Sequence, residues 1–325
     1  MKLYHKVFKN HSDLSTYLDN PNPLMEYTGE LLNRLMDAQN IDELHEAKIS
    51  ILRDFCDIYN FDINNAEFPE PVGFFGSKKE KIKFIENKIL LQDMVLYLGS
   101  VYKKYHMLIH EKNGTLPEIQ LKNLAIDYNE IYQKAEEDYI NAILNKKSHA
   151  ITASFVLPSL IERGLAMNLQ NRMLYKSICR LLDKNNLKRT LDDDEEKYLE
   201  VFRNNTYGFR FNAKEEHVMG KMYALFVREE VLAESPENRM VLTGVGYVKG
   251  RKIIRTLGTL LKTDFAKKEI LPEYMEIMRD IFGKLNIRNC IMHGLGENFD
   301  YLNIGFVAVM FQLLWDIATC EIFKD

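Results

Sequence analysis

Apolar residues recur at three- and four-residue steps along most of this chain, which is the spacing of one buried face of an α-helix. A capping box of Ser77 and Glu80 opens the longest of these segments, and Asn113-Gly114 ends it. In the first half, the predicted helices cover residues 23–38, 41–59, 77–113 and 117–144. Sustained alternation with period two, which would indicate a sheet, is missing. The pattern therefore predicts an all-α helical bundle.

The second half carries the same pattern, with two interruptions. Lys146-Lys147-Ser148 is interpreted as a hinge, which divides an N-terminal helical region (1–147) from a C-terminal helical domain (148–325). Pro158 and Ser159 are predicted to lead into the next helix, in which Glu162 lies among apolar residues. Gly244–Gly250 lacks the spacing of a phosphate or dinucleotide loop, so we expect a flexible turn into a helix over 252–261.

A polar stretch, Asn286–Gly294, separates two strongly apolar helices near the C-terminus. The apolar stripes on its two sides are Tyr274, Met278, Ile281 and Leu285 before it, and Ile304, Val307, Phe311, Leu314 and Ala318 after it. If the first helix continues unbroken, Arg288 takes the next turn of its stripe. In the alternative, Gly283 ends that helix and Asn286 caps a new one. In both cases polar groups stand where apolar ones are expected, and buried polar groups need partners.

The side chains of this stretch suit phosphate chemistry. Arg288 offers the two-pronged guanidinium that matches a phosphate. His293 precedes Gly294 at a predicted helix C-terminus, which favours the protonated imidazole and so a proton donor near neutral pH. Together they could cleave RNA without a metal, by helping a 2′-hydroxyl to attack the neighbouring phosphorus. A second Arg–His pair of similar spacing, Arg210 and His217, is interpreted as a chance match.

The stretch Leu285-Asn286-Ile287-Arg288-Asn289, followed by His293-Gly294, resembles the N-L-R-N-x-x-x-H-G motif of one domain type in the HEPN superfamily (higher eukaryote and prokaryote nucleotide-binding). The resemblance implies an all-α bundle, often dimeric, and a metal-independent endoribonuclease of phage defence, toxin or RNA-processing systems. It implies that Arg288 and His293 are catalytic, paired across the dimer, and that Asn289 supports them. Glu162 is the candidate for the polar residue that faces the motif from an earlier helix.

The composition of the chain limits the classes of partner that it is expected to bind. The chain has 325 residues and a formal net charge of −4, which disfavours a uniformly basic nucleic-acid binder but allows a local basic groove from Lys249, Arg251, Lys252 and Arg255. We expect RNA, a second copy of the chain and a regulatory protein as partners, with no cofactor or metal. The alternative is a non-catalytic interaction or regulatory module, such as a defence-system subunit or a nucleotide-binding HEPN domain.

Cysteines and histidines bear on compartment and metal binding. The 4 Cys include no C-x-x-C pair, so we expect reduced intracellular thiols and no zinc site. The N-terminus lacks a signal peptide and no apolar run could span a bilayer, which predicts a cytoplasmic protein without a membrane segment. His106 and His110, one turn apart, are interpreted as a solvated helix face rather than as a metal pair.

Overall fold

The computed structural model describes residues 22–62, 78–113, 126–145, 150–184, 193, 236–285, 287–288 and 303–324. Helices dominate these residues, which confirms the all-α class. The helices are α1 (Asn22–Asp37), α2 (Ile41–Asp62), α3 (Lys78–Asn113), α4 (Ile126–Leu144), α5 (Ile151–Lys184), α6 (Pro236–Thr243), α7 (Leu257–Leu260), α8 (Asp264–Glu269), α9 (Pro272–Arg279) and α10 (Ile304–Ala318). A π-helical turn (Asp280–Lys284) follows α9, and two strands, β1 (Val245–Val248) and β2 (Arg251–Ile254), form a small sheet. Within these ranges no helix is both long and apolar enough to cross a membrane.

The chain divides into two compact units, each built from separate segments. Unit 1 comprises Met1–Glu118, Lys134–Phe155 and Glu276–Gln312, and unit 2 comprises Ile119–Gln133, Val156–Met275 and Leu313–Asp325. The sequence boundary at residues 147 and 148 stays a prediction, and the hinge proposed for it falls outside the described residues.

Unit 1 has its core where α1, α2 and α3 meet. The buried side chains of this cluster are Leu31, Leu35, Leu44, Ile51, Val101, Tyr105 and Ile109. Asn40 starts α2, because its side-chain oxygen accepts a hydrogen bond from the Glu43 backbone N–H at 2.9 Å. Glu43 in turn accepts from the Asn40 amide group at 2.8 Å and from the Gln39 backbone N–H at 2.7 Å. These caps and the heptad-like burial explain why the first helices were predictable.

A close approach of two backbones also lies within unit 1. Gly99 of α3 faces Gly305 at the start of α10, and a Cβ added to Gly99 would lie only 2.6 Å from Gly305 Cα. A side chain at position 99 cannot fit beside that backbone unless one helix moves. The two glycines therefore allow α3 and α10 to touch along their main chains.

The predicted helix start at Pro158 is wrong, because Pro158 lies inside α5. The helix begins earlier, where the Asp138 carboxylate accepts a hydrogen bond from the Thr152 backbone N–H at 2.9 Å. A proline inside a helix removes one backbone hydrogen bond and costs about 3 kcal/mol. Leu157, Leu160 and Ile161 around it are fully buried, and this burial offsets the cost.

Residues 245–254 form a β-hairpin rather than a flexible turn, and of the helix expected over 252–261 only Leu257–Leu260 is helical. The pairing is antiparallel, with Val245 opposite Ile254 and Val248 opposite Arg251. Lys249 and Gly250 join the strands, both with positive φ (48° and 74°), which defines a type I′ turn. Helix begins only at Leu257, after a capping box formed by Thr256 and Thr259.

The C-terminal end of unit 2 is tied to α5 by a buried carboxylate. Glu269 is 4% exposed and accepts from Arg172 at 3.4 Å and from Lys176. Arg172 also donates to the Lys324 carbonyl at 3.0 Å and lies over the Phe323 ring, 4.3 Å from its centroid. One guanidinium therefore holds α8 and the chain end against α5.

Candidate functional site

Arg288 lies immediately after a fully buried apolar stripe. Tyr274, Met278, Ile281 and Leu285 are between 0% and 4% exposed, as the spacing predicts. Ile287 is also fully buried, and Arg288 beside it is half-buried and helical. The backbone before Arg288 is therefore anchored by apolar side chains, while part of the Arg288 side chain reaches solvent.

The helix that leads to Arg288 is not continuous α-helix. Regular α geometry ends at Arg279, and Asp280–Lys284 forms a π-helical turn. The interpretation in which one α-helix runs unbroken to His293 is therefore wrong. The alternative, with Asn286 as the cap of a new helix, depends on a residue outside the described ones and stays a prediction, although the α-helix ends before Gly283. Single π turns inside helices are frequent at functional sites.

The remaining members of the motif lie outside the part of the chain that the structure describes. These are Asn289 and His293, with Gly294 after them. Their predicted roles as supporting and catalytic residues therefore stay predictions. Of the polar side chains in the motif, Arg288 is the one whose surroundings the structure describes.

Glu162, the predicted partner from an earlier helix, lies half-buried on α5 in unit 2, whereas Arg288 belongs to unit 1. The charge of Glu162 acts on Arg255: burial lowers the pKa of Arg255, and the nearby Glu162 carboxylate opposes that shift. Arg255 also donates to the Val241 carbonyl at 2.7 Å. Arg255 thus fixes the base of the hairpin, and sequence reasoning had instead counted it among the groove cations.

The three residues predicted to bind substrate, Lys249, Arg251 and Lys252, stand together at the turn end of the hairpin and are all exposed. Within the described ranges, no hydrogen bond or ion pair engages their side chains. Three cations close to one another and open to solvent suit an anionic ligand.

The expectation that His106 and His110 form a solvated face is wrong for His106, which is completely buried. Its Nδ1 lies 2.7 Å from the Tyr139 hydroxyl and its Nε2 lies 3.0 Å from Gln312 Oε1. Burial keeps the imidazole neutral. Because Gln312 Oε1 only accepts, Nε2 then carries the proton and the Tyr139 hydroxyl donates to Nδ1. The ring joins α3, α4 and α10 within unit 1. We call these three residues the His106 cluster.

The surroundings of the His106 cluster disfavour a charged imidazole. Burial lowers the pKa of His106 to about 3; the hydrogen bond that His106 donates to Gln312 opposes the shift, and the positive charge of Lys48 adds to it. Lys48 is itself 2% exposed, and its Nζ lies 5.9 Å from the centre of the Tyr105 ring. Local spacing could not reveal the cluster, because Tyr139 and Gln312 are 33 and 206 residues away from His106 along the chain.

The His106 cluster predicts a loss of stability in acid. The pKa is about 3 in the folded chain and 6.5 ordinarily, so the unfolded chain binds more protons between these values. The contribution of His106 is therefore complete above pH 6.5 and is lost as the pH falls towards 3. At about pH 4.5 the loss is about 3 kcal/mol.

Urea denaturation of wild type and His106→Phe at about pH 7 and about pH 4.5 measures this loss. Wild type should be more stable near pH 7, because the variant leaves two polar groups without their partner, and this advantage should shrink by about 3 kcal/mol in acid. Tyr139→Phe keeps the imidazole and should keep the wild-type pH dependence. An advantage that is equal at both pH values contradicts the assignment.

Comparison of the chain with protein-family models, with curated proteins and with solved structures found no match. Among the described residues, no group of three or more His, Cys, Asp or Glu side chains could hold a metal ion.

Proposed function

We propose that this protein is a metal-independent endoribonuclease whose catalytic pair is Arg288 and His293. The observation that carries the proposal is the sequence Asn286–Gly294, with its Arg, Asn and His at the spacing of the HEPN motif. The buried stripe before Arg288 and the partial exposure of its side chain support it, because a phosphate-binding guanidinium needs both a fixed stem and access to the ligand.

The reaction needs no group that the chain lacks. The 2′-hydroxyl oxygen bonds to the neighbouring phosphorus, the bond from phosphorus to the 5′-oxygen breaks, and a 2′,3′-cyclic phosphate and a 5′-hydroxyl result. One proton leaves the 2′-hydroxyl and one reaches the departing 5′-oxygen, and His293 performs one of these transfers. Arg288 neutralises the charge that builds up on the phosphate oxygens. In a symmetric dimer two copies would supply two imidazoles, one as base and one as acid.

From the same resemblance we propose that the protein acts in phage defence or in a toxin system, together with a regulatory protein partner. The competing proposal is a non-catalytic interaction or regulatory module. The net charge of −4 favours it slightly, because affinity for nucleic acids depends on neutralised phosphates.

Cleavage in the presence of a chelator tests the proposal. We expect purified protein to cut single-stranded RNA in EDTA at a rate similar to that in Mg²⁺, and to leave DNA of the same sequence intact, because DNA lacks the 2′-hydroxyl. Gel electrophoresis of labelled substrates measures both. Cutting that requires the metal ion contradicts the mechanism, and intact RNA under all conditions favours the non-catalytic module.

A further inference from the structure

Basic residues are segregated around the hairpin. Between Glu237 and Asp264 the chain carries six basic residues and no acidic residue, although the whole chain has a net charge of −4. Arg255 is half-buried, and its guanidinium donates a hydrogen bond to a backbone carbonyl at the base of the hairpin. The exposed cations at the other end are Lys249, Arg251 and Lys252. The turn end of the hairpin therefore presents positive charge, and no acidic residue close to it in the sequence neutralises that charge.

The two faces of the hairpin differ. Gly246 lies against α6, since a Cβ there would meet the Pro236 carbonyl and would lie 3.1 Å from Met240 Cβ. Side chains alternate along a strand, so Tyr247 points to the opposite face, and its partner across the sheet is Lys252. Tyr247 is 51% exposed and Ile254 on the same face is 57% exposed. An aromatic ring and a cation thus stand side by side on a solvent-facing surface.

The base of the hairpin is held firmly. The Arg255 backbone N–H donates to the Gly244 carbonyl at 2.9 Å, and the Thr243 hydroxyl lies 3.0 Å from the Val245 carbonyl. With the type I′ turn at the other end, the ribbon has a defined shape before any ligand arrives. Little conformational entropy is then lost on binding.

We propose that the turn end of this hairpin binds single-stranded RNA: a base stacks on Tyr247, and phosphates contact Lys252 on the same face, Lys249 at the turn and Arg251 on the opposite face. Cations interleaved with an exposed aromatic ring are the combination that binds single strands, since the cations follow the backbone and the ring accepts any base. The two turn residues are Lys249 and Gly250, so the turn itself carries no apolar wedge of the kind that enters a lipid surface, although Val248 beside it is 42% exposed. The choice of RNA among polyanions rests on the proposed function.

Binding is tested with full-length protein and a fluorescein-labelled 2′-O-methyl oligouridine, whose blocked 2′-hydroxyl cannot start cleavage, by fluorescence anisotropy across a salt series. The first variant is Lys249→Asn/Arg251→Gln/Lys252→Gln, in which Asn-Gly is the preferred pair for a type I′ turn and keeps the hairpin folded. We expect binding at least about tenfold weaker. The log–log salt dependence should lose a slope of about 2, as three phosphate contacts on a single strand predict.

Tyr247 is tested separately. Tyr247→Ala should weaken binding about tenfold through the loss of stacking, and Tyr247→Phe, which keeps the ring, should bind as wild type does. The matched control, Arg53→Gln/Lys134→Gln/Lys268→Gln, removes equal charge from exposed positions on α2, α4 and α8 and should bind within about twofold of wild type. Circular dichroism and thermal melting verify that each variant is folded.

Three results would overturn the proposal: wild type that does not bind the RNA, hairpin variants that bind as wild type does, or a control triple variant that loses equal affinity. Binding to phosphatidylserine vesicles that is lost in the first variant, without RNA binding, would assign the surface to membranes instead. Failure of the nuclease proposal is distinguishable: hairpin-dependent binding, together with unmodified RNA that stays intact in EDTA, overturns cleavage alone. Cleaved RNA with unaffected hairpin variants overturns the hairpin surface alone.

Discussion

RNA cleavage by the Arg288→Ala variant is expected to be about 10²–10³ times slower than cleavage by wild type, with the rate measured in EDTA at saturating RNA. In the proposed mechanism the guanidinium neutralises charge that develops on the phosphate oxygens in the transition state, and removing one such donor costs a factor of this size. His293→Ala should cost about 10²–10⁴, the usual contribution of a general acid or base. Arg288→Lys should recover only part of the loss, because Lys offers a point charge without the planar fork.

The losses of cleavage rate caused by Arg288→Ala and His293→Ala should not be additive. If Arg288 and His293 act as one unit, the double variant is about as slow as the slower single variant. The matched control is the other Arg–His pair, and Arg210→Ala and His217→Ala should keep wild-type rates. Rates that are normal in both motif variants, or that fall equally in the control pair, contradict the assignment of the site.

Gly99→Ala is expected to lower the free energy of unfolding by about 3 kcal/mol, the upper end of the range for overpacking. The added methyl group would meet the Gly305 main chain, and a backbone cannot change rotamer to make room. Relief requires a shift of α3 against α10 within unit 1, which would disturb the packing at the start of α10. The midpoint of urea denaturation at an unchanged slope measures the effect.

Gly29→Ala is the matched control for this substitution. Gly29 lies inside α1, and nothing stands within 4 Å of an added Cβ. Alanine is favoured over glycine in a helix by up to about 1 kcal/mol, so this variant should be more stable than wild type. The two Gly→Ala substitutions should therefore change the free energy of unfolding in opposite directions. That difference would show that the loss in Gly99→Ala comes from the contact between α3 and α10 and not from alanine itself. Equal stability of Gly99→Ala and wild type would contradict the crossing.

Periodicity predicted the helices whose burial is set locally. The long helix α3 and the apolar helix α10 lie where the three- and four-residue spacing put them. The hairpin was missed, because it packs against α6 through Gly246, while its solvent-facing side carries the apolar side chains of Tyr247 and Ile254. Its strands therefore lack the alternation of apolar and polar residues that identifies a half-buried strand. The Lys249-Gly250 pair between two short β-branched segments was the available signal.

Features that depend on distant partners could not be predicted. Pro158 is a poor helix residue by local rules, and only the burial around it keeps α5 continuous. His106 has a spacing from His110 that suits a solvated face or a metal pair, and its neutral state follows from burial among residues distant in sequence, which include Tyr139 and Gln312. For the candidate site, the sequence supplied the Arg–Asn–His motif. The sequence also supplied the cations Lys249, Arg251 and Lys252, and the structure added the π-helical turn before Arg288 and the hairpin that brings these cations together.

The chemical identity of the new RNA ends tests the central claim most directly. Wild-type protein is incubated with a single-stranded RNA of defined sequence in EDTA, and the fragments are analysed by mass spectrometry. Attack by the neighbouring 2′-hydroxyl predicts a 2′,3′-cyclic phosphate on one fragment and a 5′-hydroxyl on the other, both formed at least about 10² times more slowly with Arg288→Ala and His293→Ala. A 3′-hydroxyl with a 5′-phosphate would show attack by water and would contradict the proposed mechanism, as would RNA that stays whole.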